Sequence, residues 1–143
     1  MNHPEVPPSE KLRFTARART RWSDEDNQQV LNNAVYQTLL EEARYAYFDA
    51  LGLVEDNKFP FLLAQTHLRF LRPGHGGVDV EVEIGTLRLG NSSVEQAYRI
   101  RAAKTGEVWV EARATLVLYD PATGKSRPMP EAFRAAVAAH EKL

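Results

Sequence analysis

From Leu63 onward the chain alternates apolar and polar residues through four runs, each closed by a turn signal. That pattern constrains the fold more than any other feature. Leu63–Leu71 stops at Arg72-Pro73-Gly74, and Val78–Leu89 sets Val78, Val80, Val82 and Ile84 on one face with Asp79, Glu81 and Glu83 on the other. After Gly90-Asn91, Ser93–Ala103 turns Val94, Gln96, Tyr98, Ile100 and Ala102 inward. Thr105-Gly106 marks another hairpin. In Glu107–Tyr119, Val108, Val110, Ala112, Ala114, Leu116 and Leu118 share one face, while Trp109, Val117 and Tyr119 lie on the other. Asp120–Gly124 is a turn. A period of two predicts strands with one buried face, joined by short turns into an antiparallel meander.

One stripe of helical spacing precedes these runs. Val35, Tyr36, Leu39, Leu40, Ala43, Tyr47, Ala50 and Leu51 recur at three and four over Ala34–Leu51, which predicts an amphipathic helix. Asn32 or Asn33 supplies its N-cap, and Gly52 the left-handed residue past its end. At about 1.5 Å per residue it runs roughly 27 Å, the span of an eight- or nine-residue strand, so it can lie along a sheet. Before it, Leu12–Trp22 alternates, with Leu12, Phe14, Ala16, Ala18, Thr20 and Trp22 facing inward. Residues 1–11, with three prolines, read as a flexible arm. Pro130-Glu131 and the Ala-rich tail to His140 read as a short helix with proline at its first position. The sum is one α+β domain over residues 12–143: about five antiparallel strands, one long helix and a short C-terminal helix. Leu63–Leu71 reads as an edge strand, and because exposed edges are usually protected, a homo-oligomer is expected.

Composition excludes several classes of function. The 143 residues suffice for one domain that buries about 70% of its unfolded surface. Eighteen basic against nineteen acidic side chains leave a net charge of −1, so no general attraction to nucleic acid or anionic membrane is expected. The absence of cysteine removes disulfides, thiolate nucleophiles and Cys-based zinc sites, in keeping with a cytoplasmic location. MNHPEVPPSEK lacks the apolar centre of a signal peptide, and no apolar run approaches the ~20 residues of a membrane span.

The chemistry is concentrated in RWSDEDNQQVLNNAVY, Arg21–Tyr36. Acidic residues ahead of a helix commonly cap its first turn. Asp26, however, lies six residues before Asn32, too far to cap a helix that starts there. The intervening loop can instead fold the carboxylate back toward the helix amino end, where free backbone N–H groups favour an oxygen that gains negative charge. A carboxylate beside an oxyanion site is the minimum equipment for hydrolysing an activated acyl group. A thiol, with a pKa of about 8.5, departs without a strong acid, so thioesters fit and amides do not.

These residues carry a resemblance. RWSDED followed by NNAVY and LLEEAR resembles the N-terminal signature of hotdog-fold acyl-CoA thioesterases of the 4-hydroxybenzoyl-CoA thioesterase type. HLRFLRP is similar to the strand after the helix in that family, and LGNSSV with ARATLVLYDPATGK to its last hairpin and exit. The resemblance spans about Leu12–Val137. It implies a hotdog fold: a curved antiparallel sheet wrapped around the long helix, paired edge to edge into a homodimer and often a dimer of dimers, with thioester sites at the dimer interface. It implies hydrolysis of an acyl-CoA, with coenzyme A entering only as part of the substrate and neither cofactor nor metal required. By motif position Asp26 is the catalytic carboxylate, nucleophile or general base, the Asn33 N–H polarises the carbonyl, and Asp24 supports. Most relatives carry Gly-His, or at least Gly, three and four positions after that aspartate. Here Gln29 and Val30 stand there, which changes the backbone conformations open to the loop and removes a possible acid–base partner.

Other candidates are weaker. Arg13, Arg17, Arg19 and Arg21 could form a phosphate-binding stripe, but they lack interleaved aromatics and are expected to pair with Asp79, Glu81 and Glu83. Arg72 and Arg88 are candidates for the phosphates of coenzyme A, and Asn91, Ser92 and Ser93 for its pantetheine arm. Trp22 could wall an acyl pocket, although an ordinary core role is expected. His67 reads as structural. His75, in PGHGG, lies in a flexible turn that lacks the lysine and setting of a phosphate loop. The rival reading of the whole is a non-catalytic hotdog that binds an acyl thioester or a protein partner, with Gln29-Val30 recording lost chemistry. A hotdog dehydratase or hydratase finds no matching motif.

Overall fold

A computed structural model describes residues 5–58 and 61–143. Strand β1 is Phe14–Arg19, the long helix α1 is Asn33–Ala50, and β2 Phe61–Phe70, β3 Asp79–Leu89, β4 Ser93–Ala102 and β5 Val108–Asp120 follow. A two-residue strand, β6 (Lys125–Ser126), and helix α2 (Glu131–Glu141) close the chain. Among the described residues the strands form one antiparallel sheet in the order β1-β3-β4-β5-β2, with β6 added to β5. This is the expected hotdog arrangement, with the C-terminal helix in place and the short β6 in addition.

The helix wraps into the sheet because its apolar stripe matches the inward faces of the strands. Tyr36, Leu39, Leu40, Ala43, Tyr47 and Phe48 are buried against Val82, Ile84, Ile100, Val110, Leu116 and their neighbours in one core. Asn32 is the N-cap, its Oδ1 accepting the Ala34 N–H at 3.0 Å. At the other end Gly52 takes φ +72° while its N–H reaches Asp49 O and that of Leu53 reaches Phe48 O, the paired bonds of a Schellman stop. Helix α2 adds Phe133, stacked on Phe48 at 5.5 Å.

Two strand readings need correction. The first strand ends at Arg19, because Thr20 turns its hydroxyl to the carbonyls of His75 and Val78 and a 3-10 turn, Trp22–Asp24, follows. Trp22 therefore leaves the inward face and stands 83% exposed, so it is not a core tryptophan. Trp109, read as outward, is buried, with Gly74 packed on its ring so closely that a Cβ there would lie 2.5 Å from Cε3. Two arginines of the stripe pair as expected, Arg17 with Glu81 and Arg19 with Asp79, while Arg21 pairs instead with Asp24. Arg101 and Arg99 continue the ladder through Glu81, Glu83 and Glu111. Residues 5–11 lie across this outer face, where Arg99 and Arg113 donate to the carbonyls of Pro7 and Glu5.

A polar chain threads the core. Arg44 Nε donates to Tyr98 Oη (2.9 Å), Tyr98 to Gln96 Oε1 (2.6 Å), and Gln96 Nε2 to Thr86 Oγ1 (3.1 Å). Tyr47 gives its single proton to Glu141 Oε2 at 2.6 Å, so at the 2.9 Å contact with Thr86 it is the threonine that donates. Every donor thus points from the buried cation on α1 to the buried anion on α2, an order in which the dipoles reinforce one another. Burial pushes the Tyr98 phenol up to about 12 and raises that of Tyr47 further. Replacing Tyr47 with Phe leaves the Glu141 carboxylate short of its strongest donor. We expect Tyr47→Phe to lower stability by roughly 1–3 kcal/mol, and Tyr47→Phe with Glu141→Leu to cost less than the two changes summed, as read from denaturant midpoints.

Candidate active site

The segment between β1 and α1 is a closed loop rather than a free linker. Asn32 N–H donates to Asp24 O (2.9 Å), Asp26 N–H to Val30 O (2.9 Å) and Gln29 N–H to Asp26 O (3.0 Å), while Glu25 and Leu31 form a bridge. A carboxylate oxygen of Asp26 accepts the Gln28 N–H at 2.8 Å. The turn needs a left-handed residue, and Gln29 supplies it with φ +64°. Gln29 thus takes a conformation that glycine would adopt readily. It makes that conformation costlier, by about 1–2 kcal/mol for an L side chain.

A second loop holds the first. Gly74 O accepts the Leu31 N–H at 2.9 Å, and Gly74 N–H donates to Tyr36 Oη, also at 2.9 Å. Gly76 N–H donates to Glu25 Oε2 at 2.8 Å. The two loops touch so closely that a Cβ on Gly76 would lie 2.4 Å from Arg21 O. PGHGG is thus a fitted backplate for the acidic loop: Gly74 and Gly76 serve close approach, while Gly77 takes φ +71°.

The sequence-derived site residues separate into two groups. Asp26 is exposed at the tip of the loop, and its charge reaches the first turn of α1. There, burial raises the Tyr36 phenol above its usual value, the Gly74 N–H opposes this, and the Asp26 charge adds to it. Asn33 opens α1, and its N–H meets no acceptor among the described residues. Asp24 is occupied: its carboxylate takes Arg21 N (2.8 Å), Nε (3.1 Å) and Nη2 (2.9 Å). Those bonds, the Arg21 side chain first, hold the acid below the ordinary carboxylate range. Arg72 lies at the same end of the sheet, exposed, with its N–H on Trp109 O.

Arg88, Asn91, Ser92 and Ser93 sit at the opposite end. The register pairs Asp79 with Arg19 at the Asp26 end and Leu89 with Val94 at the other, and eleven residues of β3 put those ends roughly 35 Å apart. One chain does not bring the two groups together. Ser92 O and Asn91 O are moreover bonded to Leu118 N and Met129 N. Tyr36, Glu25 and His75 were not singled out from sequence as site residues. A helix-first-turn tyrosine and a glycine-flanked histidine were the available signals.

Comparisons with known proteins agree with the fold. A family model described as the thioesterase-like superfamily matches residues 20–137. A thioesterase from Thermus thermophilus, solved with coenzyme A and Zn, is 31% identical, covers 90% of this chain and 95% of its own, and superposes with a TM-score of 0.79. The PA2801 protein of Pseudomonas aeruginosa is 32% identical over 88% of this chain and 98% of its own, with the same TM-score. A 1,4-dihydroxy-2-naphthoyl-CoA thioesterase from Synechocystis, 19% identical over 87% and 95%, shares the fold with a TM-score of 0.79. No curated protein sequence matches at the significance required of a relative.

The backplate makes a direct prediction. Gly76→Ala forces backbone apart from backbone, and we expect it to destabilise the fold by roughly 1–3 kcal/mol in urea unfolding, with a smaller effect from a Val30→Ala change on the loop's half-buried side.

Proposed function

Because the chain belongs to the thioesterase-like superfamily, we propose that it hydrolyses an acyl-CoA thioester to the free acid and coenzyme A, with Asp26 and the amino end of α1 acting on the carbonyl. The observation that carries this reading is the loop closure that leaves an exposed carboxylate at residue 26 beside a helix whose first N–H, that of Asn33, has no acceptor among the described residues.

The chemistry follows from those two groups. With the thioester carbonyl oxygen on the Asn33 N–H, electron density drawn toward that donor and the helix amino end makes the carbonyl carbon electrophilic. Asp26 then takes a proton from water as the water oxygen adds, or adds itself to form an anhydride that water cleaves. In both routes the tetrahedral oxyanion stays on the amide, the C–S bond breaks, and coenzyme A departs as thiolate. Asp24 keeps a supporting part through its main chain, whose carbonyl ties off the loop at Asn32.

The site is completed by a second copy. Strand β2 ends the sheet, with Leu62 (54%), Leu63 (44%) and Phe70 (52%) exposed along it. Such an edge calls for a cover. Antiparallel pairing of β2 with its own copy sets the partner's far sheet end against this chain's Asp26 end. The partner's Asn91–Ser93 turn would thereby approach the site that the same turn in one chain cannot reach. Arg72 would take phosphate charge from this side. In the Thermus relative coenzyme A is bound.

The experiment is a hydrolysis panel over acyl length and aromaticity. Asp26→Asn should lower kcat by roughly 10²–10⁴-fold. Melting and assembly should stay near normal, because the asparagine Oδ1 can still accept the Gln28 N–H. Turnover that survives this change would remove Asp26 from the mechanism.

A further inference from the structure

The loop closure, Asp26 N–H to Val30 O and Gln29 N–H to Asp26 O, calls for a left-handed residue at 29. A glutamine at φ +64° meets that need at a cost that a glycine would not carry. On the outside of the turn, His75 Nδ1 lies 3.2 Å from Gln29 O. We propose that His75 is a positioning residue for the hydrolysis: it clamps the Gln29 carbonyl and so holds the left-handed turn that presents the Asp26 carboxylate. The proposal rests on the thioesterase reading above.

Three features make this contact a built one. A carbonyl accepts only, so Nδ1 must carry the ring proton. The Glu25 carboxylate, 3.9 Å from the same nitrogen, favours that proton's position. Glu25 is itself fixed by the Gly76 N–H, one residue beyond the histidine. The histidine's own main chain is held on both sides: Thr20 Oγ1 donates to His75 O at 2.7 Å, and Gly74 is bonded through both its N–H and its carbonyl. The ring is half exposed, so its hold on the loop contributes little to the fold while bearing on the turn that carries the reactive acid.

What would move on its removal is confined. Residues 24 and 32 are tied to one another and Leu31 to Gly74, independently of the histidine. Only 26–30 are free to relax. The Asn33 N–H and the surfaces that bind coenzyme A stay in place, so the loss should fall on kcat and leave KM nearly unchanged.

The test compares His75→Ala and His75→Asn, each alone and with Gln29→Gly, on an acyl-CoA that the wild type turns over. His75→Ala should lower kcat about tenfold to a hundredfold, as a small misplacement of a reacting group does, with KM within about twofold. His75→Asn should recover most of the rate, since the amide N–H can meet the same carbonyl. In the Gln29→Gly background, where the turn costs little, the loss on His75→Ala should shrink to a fewfold. Amide hydrogen exchange at residues 28–30 should quicken in His75→Ala and be restored by His75→Asn. An unchanged kcat, a loss equal in both backgrounds, or exchange that His75→Ala leaves unaltered would overturn the clamp. Turnover that survives Asp26→Asn would instead overturn the reading of the site, and this proposal with it.

Discussion

The tie between Asn32 N–H and Asp24 O, backed by Leu31 N–H on Gly74 O, is the constraint on which the site depends. It fixes where the chain leaves β1 and where α1 begins, and it reduces the acidic segment to a short turn whose exposed Asp26 carboxylate accepts the Gln28 N–H. Without it, Asp26 would be one of many surface acids on a mobile linker. With it, the charge of the same residue is felt at Tyr36, in the first turn of α1. Gly74 and Gly76 enter the account here. They let a second loop come to van der Waals distance of Trp109 and of the Arg21 main chain, where any side chain would hold the two apart.

Around that site the fold divides its labour by face. The concave side of the sheet is apolar and is filled by α1, with one polar chain from Arg44 to Glu141 whose members are all paired in sequence, apart from a buried Arg44 nitrogen that has no hydrogen-bond partner among the described residues. The convex side is charged and self-neutralising, arginine against glutamate from strand to strand. That arrangement gives strand arginines acidic partners within the chain. It also leaves β2 at the end of the sheet, its outer edge without a strand partner among the described residues.

Much of this was legible in the residues alone. Period-two alternation located β3, β4 and β5 to within a residue or two, because one face of each strand is buried and the pleat enforces the pattern. The helix and both its caps were readable for the same kind of reason: Asn32 and Gly52 do backbone work that few residues can do. What was not legible depends on contacts distant in sequence. Trp22 satisfied the alternation, yet Thr20 bonds to the 75–78 segment and turns the chain out before the tryptophan is reached. Trp109 broke the alternation because its cover comes from Gly74, thirty-five positions away. Gln29 shows the limit most clearly. Its side chain argues against a left-handed turn, and only the loop closure and the histidine from the neighbouring loop account for finding one there.

The central claim is that residue 26 and the opening amide of α1 meet on one carbonyl. A crystal structure of the Asp26→Asn protein with an intact acyl-CoA tests it most directly. The account predicts the thioester oxygen at hydrogen-bond distance from the Asn33 N–H, the residue 26 side chain facing the carbonyl carbon, and the coenzyme running across the β2 seam. A thioester bound away from both groups, with the amino end of α1 open to solvent, would contradict it.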